Sequence, residues 1–154
     1  MKKTLISNGP LETKAIALRI KENLQNGDIV LLKGEIGAGK SHFARSLIQA
    51  TMDKVEDVPS PTFTLVQTYD TLAGSIWHAD LYRLNDQSEI FELGLIDAFG
   101  NDIVLIEWPD RLGYLEPQDA LTIELVILEN DKREVIFSTS SCVWEARLEK
   151  TLQK

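Results

Sequence analysis

The chain has 154 residues, 44% hydrophobic and 26% charged, with a formal charge of −8 from 24 acidic against 16 basic side chains. That length suits one domain with a real core, no apolar run is long enough to span a bilayer, and the single Cys142 excludes an internal disulfide. No Cys/His cluster points to zinc, and Lys and Arg are scattered, which counts against unaided nucleic-acid binding because that needs a basic surface to displace counterions.

Met1-Lys2-Lys3 is followed by only Leu5-Ile6 before the polar Ser7-Asn8-Gly9-Pro10, too little for a signal peptide, so a cytoplasmic protein is expected. Leu11, Ala15 and Leu18, with Ala17, Ile20 and Leu24, recur at helical spacing and predict an amphipathic helix over 11–25. Asn26-Gly27 ends it and turns the chain into a strand, Ile29-Val30-Leu31-Leu32.

Residues 34–41 then read Gly34-Glu35-Ile36-Gly37-Ala38-Gly39-Lys40-Ser41, a complete G-x-x-x-x-G-K-[ST] phosphate-binding loop. The glycines let backbone N–H groups converge on a di- or triphosphate, Lys40 brings charge to the β/γ oxygens, and the Ser41 hydroxyl can complete a Mg²⁺ shell. Helical spacing resumes over Ser41–Ala50, pairing Phe43 with Leu47 and Ala44 with Ile48, and adds the positive end of a helix dipole. Strand, loop and helix stand in the order such a motif requires. The chain is expected to bind a nucleoside triphosphate.

Asp57-Val58-Pro59-Ser60-Pro61-Thr62 reads as loop, since closely spaced prolines exclude helix. Phe63 to Tyr69 reads as a strand, Thr71 to Ser75 as a hairpin turn, and Ile76-Trp77-His78-Ala79-Asp80 as the returning strand. Asp86 with Glu89 suggests a capping box opening a short helix that stops at Gly94. The bare apolar run Ile103-Val104-Leu105-Ile106 predicts a fully buried strand. Alternation over Leu121, Ile123, Leu125 and Ile127, the polar turn 129–132 and Val135-Ile136-Phe137 predict an antiparallel hairpin, and a last helix carries Val143, Trp144 and Leu148. The sum is a single α/β domain over 1–154: a mixed sheet with a parallel core and antiparallel additions, helices on both faces.

A phosphate loop hydrolyses nothing without a carboxylate near Ser41 for Mg²⁺ and a group that orients the attacking water. Such an acid belongs at the carboxyl end of a neighbouring buried strand. Glu107 and Asp80 both end apolar strands and both qualify; either acid could instead cap a strand or pair with arginine. Ser60 and Thr62 could sense a γ-phosphate as a switch, or form an ordinary rigid connection. His78 shares a strand face with Asp80 and fits a supporting or a purely structural role, while His42 reads as packing or facing solvent. Arg83 and Arg111 fit phosphates or nearby carboxylates equally, and Trp108 could pack under the site or anchor a partner.

The phosphate loop, Ser60-Pro61-Thr62-Phe63-Thr64-Leu65-Val66, His78-Ala79-Asp80-Leu81-Tyr82-Arg83-Leu84, Glu92-Leu93-Gly94-Leu95 and Ile106-Glu107-Trp108-Pro109 together resemble the bacterial TsaE (YjeE) family, a group with the P-loop NTPase fold. The blocks stand in that family's order across essentially the whole chain. The resemblance implies a small, Mg-dependent ATPase required for threonylcarbamoylation of adenosine 37 in tRNAs that read codons beginning with A. It implies TsaB and TsaD as partners, with hydrolysis resetting the complex, TsaD carrying out the transfer, and tRNA met only through the complex. It further implies Lys40 and Ser41 on phosphate and Mg²⁺, Glu107 as the second metal ligand, Asp80 as an essential acid near the γ-phosphate, Ser60–Thr62 as the switch, and Thr13 and Arg133 as nucleotide contacts. Ser41 stands where many members have threonine, which keeps the hydroxyl. The competing readings are a small P-loop metabolite kinase, although no arginine-rich lid is present, and a nucleotide-dependent binding module without significant turnover.

Overall fold

Apolar runs that cannot face water become the centre of a sheet. In the computed structural model, which describes residues 1–153, the strands in chain order are β1 (Lys2–Ser7), β2 (Ile29–Lys33), β3 (Val66–Thr71), β4 (Gly74–Asp80), β5 (Ile103–Glu107), β6 (Leu121–Ile127) and β7 (Arg133–Ser138). They form a 7-stranded sheet in the order β1-β7-β6-β2-β5-β4-β3. The central neighbours β4, β5, β2 and β6 run parallel, and β1, β7 and β3 add antiparallel at the two sides. Every residue of β5 is buried, as its unbroken apolar run requires when both sheet faces are covered.

Helices cover both faces. On one side α1 (Pro10–Lys21), α2 (Lys40–Thr51) and α5 (Cys142–Leu152) pack Ile16, Ala17, Phe43, Leu47, Trp144 and Leu148 against Val30, Leu32, Ile103 and Leu105. On the other, α3 (Ser88–Glu92), α4 (Leu95–Ala98) and a 3-10 turn over Pro109–Leu115 bury Ile90, Leu95 and Leu112 against Leu31, Val104 and Ile106. The expected mixed sheet with a parallel core is therefore present, and the predicted hairpin of residues 121–138 forms with its turn at 129–132.

The departures have local causes. β1 was not anticipated: its inward residues Lys3, Leu5 and Ser7 make a weak alternation, and it forms because β7 offers it an edge. The first helix ends at Lys21 rather than at residue 25, where Asn23 and Leu24 N–H groups bond back to Ile20 and Lys21 to reverse the chain. Phe63–Leu65 is a turn, not strand: the Leu65 N–H donates to Pro61 O at 2.7 Å, with Leu65 at φ 66. The capping box does not close. Asp86 Oδ1 instead accepts the Ser88 N–H at 3.0 Å, an Asx turn, and Gly94 in the left-handed region starts the unanticipated α4.

Candidate nucleotide-binding site

The buried β2 delivers the chain to Gly34 at the carboxyl edge of the sheet, where ligands bind in such folds. Gly34 has φ +144, and a Cβ there would stand 2.6 Å from Leu125 O on the neighbouring strand. Gly34→Ala is expected to lower stability by about 1–3 kcal/mol, the scale of one strained backbone site, and to displace the loop. A thermal melt of Gly34→Ala that matches the wild type would contradict this close fit.

Gly39, left-handed at φ 107, is the residue before α2, and Phe43 N–H bonds back to its carbonyl. The loop is tied from outside. Arg133 donates through Nε to Ala38 O at 3.0 Å and through a terminal nitrogen to Gly37 O at 3.3 Å. Inside the loop the Ala38 N–H closes a turn onto Glu35 O at 3.0 Å. Lys40 lies folded back, its Nζ donating to Gly34 O at 2.7 Å and Glu35 O at 2.9 Å, 4.3 Å from the centroid of the Trp108 ring. Burial holds its pKa below the usual lysine range, while the carboxylates of Glu107 and Asp80 pull it upward.

Parallel pairing of β4 with β5 sets Asp80 beside Glu107, and the same alternation turns His78, Asp80 and Glu107 toward α2. Ser41 Oγ donates to Glu107 Oε1 at 2.8 Å, and His78 Nε2 lies 2.7 Å from Glu107 Oε2. Asp80 receives the Thr62 hydroxyl at 3.1 Å and the Tyr82 N–H at 3.0 Å. Thr62 and Ser60 share a hydrogen bond of 2.9 Å, and Ser60 Oγ is 3.4 Å from Ser41 Oγ. The structure thus brings Lys40, Ser41, Ser60, Thr62, Asp80 and Glu107 around one cavity of about 360 Å³.

An adjoining hollow of about 160 Å³ is lined by Pro10, Thr13, Ala38, His42, Asp131 and Arg133. Thr13 and Arg133, far apart in sequence, therefore share one wall, and the Thr13 hydroxyl is engaged by Ser7 Oγ at 2.7 Å. His42 is not idle: it lines both hollows and its Nε2 lies 3.0 Å from Pro10 O. Trp108 and Tyr82, at 4.9 Å between ring centroids, form the cavity's aromatic wall. Trp108 reaches it from the left-handed region, φ 58, a conformation that no residue pattern announces for a tryptophan. Arg83 stacks on Phe63 at 4.4 Å, and neither it nor the exposed Arg111 lines the cavity.

The atoms that Ser41 and Glu107 offer to the cavity, Oγ and Oε1, are both oxygen, which suits Mg²⁺. Among the described residues no group of three or more His, Cys, Asp or Glu could hold a metal. The chemistry this arrangement permits is anchoring of a triphosphate beside a hydroxyl and two acids.

The family model described as threonylcarbamoyl adenosine biosynthesis protein TsaE matches residues 7–135. The chain belongs to the TsaE family. A Rickettsia felis member, the tRNA threonylcarbamoyladenosine biosynthesis protein TsaE, is 39% identical over 137 residues, covering 89% of this chain and 80% of that protein. The Bacillus subtilis protein of the same name is 35% identical over 130 residues, covering 84% of this chain and 80% of that one. The crystal structure of Bacillus subtilis YdiB superposes with a TM-score of 0.79 at 26% identity, over 99% of this chain and 95% of that chain. TsaE membership places the chain in tRNA threonylcarbamoyladenosine biosynthesis, with a P-loop nucleotide-binding fold. No helix among the described residues is long and apolar enough to cross a membrane.

Proposed function

We propose that this TsaE protein binds Mg-ATP in the larger cavity and hydrolyses it, in support of threonylcarbamoylation of adenosine 37 in tRNAs that read codons beginning with A. The observation that carries the reading is Ser41 Oγ held 2.8 Å from Glu107 Oε1 at the foot of a complete phosphate loop. Those two oxygens would hold Mg²⁺, which when bound supplies charge neutralisation at the β/γ oxygens. Lys40 exchanges its carbonyl partners, Gly34 and Glu35, for phosphate oxygens. In this reading Asp80 and Thr62, joined at 3.1 Å, orient the water that attacks the γ-phosphorus, and Ser60–Thr62 carries the presence of that phosphate to the loop behind it. Thr13 and Arg133 line the recess that takes the nucleoside end.

TsaB and TsaD are the partners in this reading, TsaD performs the transfer, and hydrolysis resets their complex between turnovers. Reconstitution of tRNA modification from purified components tests it. Repeated turnover is expected with this chain and ATP, and a single round without either. Equal multiple-turnover modification in the chain's absence would refute the role.

A further inference from the structure

His78 sits two residues before Asp80 on β4 and is fully buried. Its Nε2 lies 2.7 Å from Oε2 of Glu107, itself only 2% exposed, while its Nδ1 is buried without any hydrogen-bond partner. Unpaired buried polar atoms are costly and uncommon. A histidine that merely filled space would be better replaced by leucine. The benefit must therefore lie in the one bond it makes, and that bond goes to the carboxylate beside Ser41.

The proton belongs on Nε2. A carboxylate oxygen only accepts, and Nδ1 faces no acceptor. With Oε2 held by His78, the Glu107 group has one rotation left satisfied, the one that aims Oε1 at Ser41 Oγ. Without a donor at Oε2 the carboxylate can turn about its last bond, and the neighbouring Lys40 ammonium offers it a competing partner.

We propose that His78 is a positioning residue for Mg²⁺: its Nε2–H locks Glu107 so that Oε1 stays presented to the metal position beside Ser41. This rests on the Mg-nucleotide reading of the cavity. Residues that hold a metal-binding carboxylate in place typically contribute 10–100-fold in metal affinity.

The test is a titration of Mg²⁺ against binding of a fluorescent ATP analogue, with binding in EDTA measured alongside and thermal melts confirming folding. His78→Leu is expected to raise the Mg²⁺ concentration at half-saturation roughly 10–100-fold while leaving binding in EDTA unchanged. His78→Gln, whose amide nitrogen reaches the place of Nε2, should restore most of the loss. His78→Asn, whose amide nitrogen reaches only the place of Nδ1, should not, and that polar pair decides the matter should the leucine variant fail to fold. Wild-type titration by His78→Asn, equal loss in the Gln and Asn variants, or a parallel loss of binding in EDTA would overturn the assignment. Glu107→Gln separates the two levels of inference. A shift there without one in the His78 variants removes the role of His78 alone, and no shift in either removes the metal reading as well.

Discussion

Lys40→Ala is expected to remove ATP hydrolysis and most triphosphate binding while the protein remains folded. Lys40 is the only basic residue in the loop, so nothing replaces its charge at the β/γ oxygens. Loss of one preorganised charge or donor at a reacting centre typically lowers turnover ~10²–10³-fold. The fold should survive because the lysine contributes to it only through its bonds to the Gly34 and Glu35 carbonyls and its contact with Trp108. Each such bond is worth about 0.5–1.5 kcal/mol net, a fraction of the ~5–15 kcal/mol that holds a domain together. Phosphate release and a thermal melt on the same sample check both halves. A well-folded Lys40→Ala protein hydrolysing ATP at the wild-type rate would remove the assignment.

The second large effect is expected from partners. The site has oriented acids, but none of the arginines near it is aimed into the main cavity. Arg133 is tied to Gly37 and Ala38, Arg45 to Val58 O, and Arg83 lies over Phe63. A phosphoryl-transfer site lacking an arginine finger turns over slowly, and a partner that supplies or orders one can raise the rate ~10³–10⁵-fold. TsaD with TsaB should therefore recruit this chain in its ATP-bound form and accelerate it. The same proteins should mediate contact with tRNA, because a chain at −8 with scattered basic residues neutralises few phosphates at once. Turnover across a titration of the partner pair, and tRNA affinity of the isolated chain at physiological salt, test the two expectations. Turnover indifferent to the partners, or tight tRNA binding alone, would favour an independent enzyme.

Much of this was legible in the residues because the informative patterns are short and local. Ile103–Ile106 is apolar throughout and becomes the most buried strand; Gly34–Ser41 is a contiguous motif whose chemistry is carried by backbone and near neighbours. Strand ends name their own acids, so Glu107 and Asp80 could be chosen as candidates before their surroundings were known. Where the outcome hung on a distant partner, local pattern failed. Lys2–Ser7 is a strand only because β7 presents an edge to it, and Phe63–Leu65 leaves the sheet because Leu65 closes a turn onto Pro61.

By itself, then, the chain's order of residues determined the parallel core, the phosphate loop and the two acids, since each follows from apolar periodicity or from a contiguous backbone requirement. Tertiary structure alone decided how those parts are used. Parallel register of β4 and β5 put Asp80 next to Glu107, one toward Thr62 and the other toward Ser41. The chain's return at β7 brought Arg133 to the loop carbonyls across 95 positions of sequence. Left-handed backbone at Trp108 laid its ring over Lys40, and burial in the same layer gave His78 a single partner, Glu107. Such relations depend on separations of a few ångströms between segments remote in the chain, which hydrophobic periodicity and local propensity do not encode.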